Sequence, residues 1–127
     1  MRIIYKVDRK GSNHSNWLTG LSKGNYFDTL DRCGRKGVEA LQAATPFETG
    51  LTSRSWSYDV NVSKKYATIT WSNSNVTRDG HPIAIMLQLG HGTGTGGYVV
   101  GRDYINPAMK PVFDEIEDEV WKAVVKV

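Results

Sequence analysis

Apolar positions along the chain keep changing their period, and each period predicts an element. Ile3, Tyr5 and Val7 alternate with Arg2, Ile4 and Lys6, the two-residue repeat of a short half-buried strand. Lys10-Gly11-Ser12-Asn13 breaks it. Trp17, Leu18 and Leu21 then fall at helical spacing behind Ser15, a residue suited to an N-cap, and predict a short helix that Lys23-Gly24-Asn25 ends. Phe27, Leu30, Gly34, Val38 and Leu41 step by three or four and form one stripe, flanked by Asp28, Asp31, Arg32, Arg35, Lys36 and Glu39. Cys33 falls off that stripe. Gly34 and Gly37 each cost about 1 kcal/mol relative to Ala inside a helix, and Gly34, on the stripe, suits a close approach to a sheet or a partner. Thr45-Pro46 closes the helix, because the residue before proline is pushed out of the α region.

After Gly50 the period returns to two. Trp56, Tyr58, Val60 and Val62 face one way and Ser55, Ser57, Asp59 and Asn61 the other. Ser63-Lys64-Lys65 turns the chain, and Ala67, Ile69 and Trp71 alternate with Tyr66, Thr68 and Thr70, which predicts an antiparallel hairpin with one buried face. Residues 72–80 read as polar loop. The run Ile83–Leu89 suits either a helix or a strand, and Pro82, apt for a first helical turn, favours a short helix. Residues 90–97, five of them glycine, read as a flexible loop before a short strand at Tyr98-Val99-Val100. Asn106-Pro107 then suits the start of a last helix, as N-cap and first helical residue. Its stripe is Met109, Val112, Phe113, Ile116, Val120 and Val124, with Asp114, Glu115, Glu117, Asp118 and Glu119 opposite and Pro111 placed to bend its start. The expected fold is α+β: an antiparallel sheet with two principal helices, at residues ~25–44 and ~107–125, packed on it, plus short helices.

Composition narrows the class without naming a function. The 127 residues make one domain, large enough to bury a core without disulfides or metal, and 10% aromatic content argues against disorder. The single cysteine, Cys33, cannot form an intrachain disulfide. No apolar run approaches the roughly 20 residues that cross a bilayer, and the first seven residues are too charged for a signal segment, so the expected site of synthesis is the cytoplasm. The net charge of +3 is mild. Residues 1–54 carry nine Lys/Arg against five Asp/Glu, and residues 55–127 carry seven against eight. Arg32, Arg35 and Lys36 form the densest basic group, on adjoining positions of one helix face. A solvated surface is the plain reading of that group, and contact with nucleic acid or an acidic partner the sharper one.

Residues that could carry chemistry do not cluster. His14, His81 and His91 form no metal pair at helical spacing, although His81 and His91 flank one element and could meet in space. The glycine run is not followed by the Lys-Ser/Thr of a phosphate-binding loop. No base is evident beside Cys33, and the acidic run 114–119 suits a solvated or partner-facing helix surface better than acid–base chemistry. No catalytic, cofactor-binding or metal-binding residue is assigned, and no cofactor is expected.

Three ordered stretches nonetheless resemble one family: Ala44-Thr45-Pro46-Phe47-Glu48-Thr49-Gly50-Leu51-Thr52-Ser53-Arg54-Ser55; Ile83 to Leu89 with Gly90-His91-Gly92-Thr93; and Tyr104-Ile105-Asn106-Pro107-Ala108-Met109. In order and separation they resemble the head–tail joining and tail-completion proteins of tailed bacteriophages, also termed neck or minor capsid proteins, over roughly residues 1–125. The chain departs from the family in having Gln88 and Leu89 where a glutamate often precedes the glycine, and in a longer glycine run. The resemblance implies a virion structural protein and not an enzyme. Its partners would be copies of itself in a ring, a hexamer in the virion, together with the connector and tail-tube proteins, with neither membrane nor specific nucleic acid. It would reside in the virion neck, and in the host cytoplasm before assembly. A ring needs two different complementary surfaces on each subunit. The expected interface residues are Arg32, Arg35 and Lys36 facing a neighbour's Glu115 and Asp118, together with His91, Thr93, Tyr98 and Arg102; segments 72–82 and 90–101 would become ordered on assembly. A small nucleic-acid-binding module is the alternative, resting on the pI of about 9.0 and the basic group. A small hydrolase or toxin would need the histidines to converge on a nucleophile or metal.

Overall fold

The period-two segments near the N-terminus and mid-chain meet in a single sheet. A computed structural model describes residues 1–8, 23–46, 50–63, 66–92 and 95–126; the short helix expected around Trp17, and Thr93 among the expected interface residues, lie outside these. Strand β1 (Arg2–Asp8) and strand β2 (Trp56–Val62) both pair antiparallel with β3 (Tyr66–Asn73), in the order β1-β3-β2. β3 is the centre, and its inward residues Ala67, Ile69 and Trp71 are fully buried. The flanking strands present Ile3, Tyr5 and Val7, and Trp56, Tyr58, Val60 and Val62, to the same face, as their alternation predicts. The expected α+β architecture is observed.

Helix α1 (Lys23–Ala44) lies across that face on β2 and β3, beside helix α4 (Ile105–Lys126). Phe113 of α4 stacks on Tyr5 at 5.1 Å between ring centroids and meets Trp71 at 6.0 Å. Between the layers Leu30, Cys33 and Leu41 of α1 and Met109, Val112 and Ile116 of α4 are buried. Cys33 is therefore a core residue, 1% exposed, and not off the apolar face as its spacing suggests. α1 touches both the sheet and α4, so its buried arc is wider than one stripe. Burial also pushes the Cys33 thiol above its usual pKa, so it stays protonated. At the other end of the expected stripe Phe27 is 40% exposed.

The two glycines of α1 set the helix–sheet distance. A Cβ at Gly34 would lie 2.5 Å from the Tyr58 ring, and one at Gly37 would overlap the Trp71 indole. With no side chain there the Trp71 ring lies against the helix backbone, and its Nε1 donates to the Gly34 carbonyl at 2.9 Å. The second buried indole, Trp56, donates to Thr45 Oγ1 at 2.8 Å, and that hydroxyl donates to the Leu41 carbonyl at the end of α1. Both buried N–H groups are thus satisfied.

A short helix, α2 (Leu51–Arg54), precedes β2, where the sequence reads as a direct entry into strand. Gly50 starts it with φ +78°, and the buried Asn73 holds it by donating to the Thr52 carbonyl at 2.8 Å. Such a tie spans 21 residues and has no local periodic signal. The expected short helix over residues 83–89 is observed as α3 (Ile83–Leu89). No described helix is long and apolar enough to cross a membrane.

Gly37→Ala separates the two roles of glycine here. In an open helix the change stabilises by about 1 kcal/mol; against Trp71 it is expected to destabilise by about 1–3 kcal/mol through overpacking, read as a lower urea midpoint at unchanged slope.

Candidate assembly surface

The glycine-rich segment does not remain a loop throughout. Gly90–Gly92 forms strand β4 and pairs antiparallel with β5 (Tyr98–Val100) in a separate two-stranded ribbon, in register Gly90↔Val100, His91↔Val99 and Gly92↔Tyr98. Here the absence of side chains is what permits pairing. Gly90 has φ +90°, and a Cβ there would sit 2.6 Å from Tyr98 Oη and 2.7 Å from the Gly101 nitrogen. A Cβ at Gly101 would overlap the Leu89 backbone. Two glycines thus let the strands cross backbone to backbone at the foot of the ribbon.

Residues opposite each other in an antiparallel pair share a face. Tyr98 and Val100 therefore stand over Gly92 and Gly90, a strand face with no side chains, while Val99 shares the other face with His91. Tyr98 is 65% exposed, Val100 81% and the preceding Leu89 70%, so the ribbon and the end of α3 carry an uncovered apolar ledge. β5 holds no charged residue and no proline, the usual protections of an edge strand. His91 Nδ1 lies 3.4 Å from the Met86 carbonyl.

A polar clamp ties together the two ends of the segment that carries the ribbon. The Gln88 carboxamide accepts from the backbone N–H groups of Tyr104 (3.0 Å) and Ile105 (3.1 Å) and donates to Asp103 Oδ1 at 2.7 Å. Asp103 Oδ1 also accepts from the Asn106 backbone at 3.3 Å and its side chain at 3.2 Å. Together these satisfy orphan donors at the start of α4. Asn106 is thus inside the first turn as a donor and is not the N-cap its position suggests; the capping acceptors are Asp103 and, from another helix, Gln88. The Arg102 N–H donates to the Leu87 carbonyl at 3.0 Å, and the buried Tyr104 hydroxyl to the Ala84 carbonyl at 2.7 Å. Burial pushes the Tyr104 phenol up to about 12, which keeps it a donor.

The charged candidates fall elsewhere. Arg32 pairs with Glu119 at 3.2 Å and Lys36 with Glu115, both across the α1–α4 seam of one chain. Arg35 pairs with Asp31 at 3.2 Å one turn away, and Asp31 also accepts from Tyr58 Oη at 2.8 Å. The basic and acidic helix faces, expected to pair between neighbours, pair instead within the single chain, because α1 and α4 are packed side by side. Asp118 is exposed on α4. Of the expected interface residues, then, Arg32, Lys36 and Glu115 meet at the helix seam, His91 and Tyr98 meet on the ribbon, and exposed Arg102 stands at the ribbon's foot.

Segment 72–82 makes bonds within the chain. It holds the end of β3, a Val76–Pro82 bridge, and bonds from the Thr77 N–H to the His81 carbonyl (2.9 Å) and from the Ile83 N–H to the Asn75 carbonyl (3.2 Å). Gln88 and Asp103 of the clamp, and Leu89, Val99 and Val100 of the ledge, are not among the interface residues expected from the sequence. The signal available was one polar residue, Gln88, inside an otherwise apolar run. Among the described residues no group of three His, Cys, Asp or Glu side chains is placed to hold a metal ion. Searches of protein-family models, curated proteins and solved structures return no match to the chain.

Two measurements test this geometry. The Gln88 amide above all, helped by the Asn106 donors, holds the Asp103 carboxyl below its usual 3.8. A lowered folded pKa contributes stability that is full above the unfolded value and lost as pH falls through the folded one. Melting temperature is therefore expected to fall below about pH 4 less steeply in Asp103→Asn than in the parent. Lys36→Glu is expected to lower the melting temperature at low salt, with recovery on adding Glu115→Lys, as an intrachain pair requires.

Proposed function

We propose that the chain is a structural subunit of a tailed-bacteriophage virion, assembling as a ring, a hexamer in the particle, at the head–tail interface to complete the tail or join it to the connector. The observation that carries this reading is the β4–β5 ribbon: a projecting ledge of Leu89, Tyr98 and Val100, exposed in the single chain yet clamped by Gln88 and Asp103. Exposed contiguous apolar surface on a soluble domain marks an interaction site. A held, already paired ribbon docks with little ordering cost. The resemblance of the three sequence stretches supplies the biological setting, host cytoplasm before assembly and the virion neck after it, with the connector and tail-tube proteins as further partners.

The basic group favours this reading over nucleic-acid binding. Arg32 and Lys36 are matched by Glu119 and Glu115 at the helix seam, so the densest positive cluster of the sequence is locally neutralised.

Electron microscopy of particles from a phage lacking this gene is expected to find filled heads and complete-looking tails unjoined; normal virions would overturn the proposal. In the same phage, a Val100→Lys gene is expected to yield a soluble, folded subunit that does not restore joined particles. Full restoration would remove the ribbon as the docking surface.

A further inference from the structure

The uncovered ribbon raises the question of what covers it. β5 has β4 on one side and, among the described residues, no strand on the other. The same holds for the outer edges of β1 and β2. A strand edge with unpaired backbone groups is a template for another strand. The three edges differ in side-chain character. β2 shows Ser57, Asp59 and Asn61 on its outward face, all polar. β1 has an apolar centre: Ile3 and Tyr5 face the core, and Ile4, on the outward face, is 60% exposed. Its charges flank that centre at Arg2 and Lys6, and Lys6 lies over the Tyr66 ring at 4.2 Å from the centroid.

We infer that β5 of one subunit adds to the outer edge of β1 in a second copy of this chain, joining the three-stranded sheet of one to the ribbon of the other. This rests on the assembly reading above and names the partner of its surface. Tyr98-Val99-Val100 and Ile3-Ile4-Tyr5 are both three-residue windows apolar on both faces, and pairing Val99 with Ile4 puts no charged residue opposite any position of β5. That pairing sets Val99 beside Ile4 on one face and Tyr98 and Val100 beside Ile3 and Tyr5 on the other, so Ile4, Tyr98 and Val100, which are 60%, 65% and 81% exposed in the single chain, each gain apolar cross-strand neighbours. Pairing with β2 would set the apolar strand beside Asp59. Self-pairing of β5 would give Ile4 no apolar cross-strand neighbour on its open side. β5 and β1 are different surfaces, so the contact is head-to-tail and repeats around a ring.

Size adds a second constraint. A stable two-body interface buries about 800 Å² on each partner, more than three residue pairs can supply. A pair of copies held by this contact alone is weak. Closure lets every subunit both give β5 and accept on β1, so the contact accumulates in the ring.

The test uses two single variants of the full chain, Ile4→Cys and Val99→Cys, with native Cys33 left in place, since it is 1% exposed. Each alone, and an equal mixture, are treated with a short bis-maleimide at the highest soluble concentration, and products are read by mass, with native mass spectrometry of the untreated parent. The expected result is a mixed Ile4→Cys/Val99→Cys adduct, found in the mixture and in neither variant alone. An adduct from Val99→Cys alone overturns the inference in favour of ribbon self-pairing. Oligomers of the parent without the mixed adduct overturn the strand pairing and leave the assembly reading standing. Neither oligomer nor adduct overturns both.

Discussion

The architecture depends on the contact between the Trp71 indole and the bare backbone of α1 at Gly34 and Gly37. A side chain at either glycine would push the helix off the sheet, and the Nε1 donor would lose the Gly34 carbonyl. Because α1 lies that close, its buried arc spreads from the sheet to α4 and takes in Cys33 as well as Leu30 and Leu41. α4, so located, meets α3 at its first turn, where Gln88 and Asp103 tie the two together. The ribbon stands on that tie. A packing constraint in the core thus helps to fix the position of an apolar ledge at the surface.

Much of this is legible in the residues, for physical reasons that can be stated. Alternation identified all three strands of the main sheet and the face each buries, because one side of the sheet is packed and the other wet. Helical spacing located α1 and α4 to within two residues of their described bounds, and Gly34 was marked as a point of close approach. What periodicity does not carry is the identity of distant neighbours. The pairing of residues 2–8 with 66–72, the burial of Cys33 and the hold of Asn73 on α2 all depend on contacts between segments far apart in sequence. Glycine misled in one direction: residues 90–92 read as loop because two of the three lack side chains, whereas a ladder needs only backbone, and the close crossing at Gly90 and Gly101 excludes anything larger. The candidate site was half visible. His91, Tyr98 and Arg102 lie on the ribbon or at its foot, whereas the clamp is not legible as such, because a capping acceptor supplied by another helix shows in the sequence only as one polar residue, Gln88, in an apolar run.

The charges illustrate how the same residues change meaning once the helices are placed. Arg32, Lys36, Glu115 and Glu119 read as two separate faces with opposite sign, suited to meeting across an interface. In the folded chain they meet across the α1–α4 seam, exposed enough that each pair contributes little to stability. On the proposed reading, what remains for association is apolar surface and open strand edges. Such a contact gains from burial and backbone pairing and depends weakly on salt, unlike the electrostatic docking that the sequence alone suggested. The ribbon is paired within the single chain, so the proposed association would order little that was free before.

Hydrogen exchange measured on the free chain and on assembled particles tests the central claim most directly. The account predicts that the Tyr104 and Ile105 amides, bonded to Gln88, are protected in both states, while the β5 amides facing away from β4 exchange readily in the free chain and become protected on assembly. Unprotected β5 amides in the assembled particle, or clamp amides that open freely in the single chain, would contradict it.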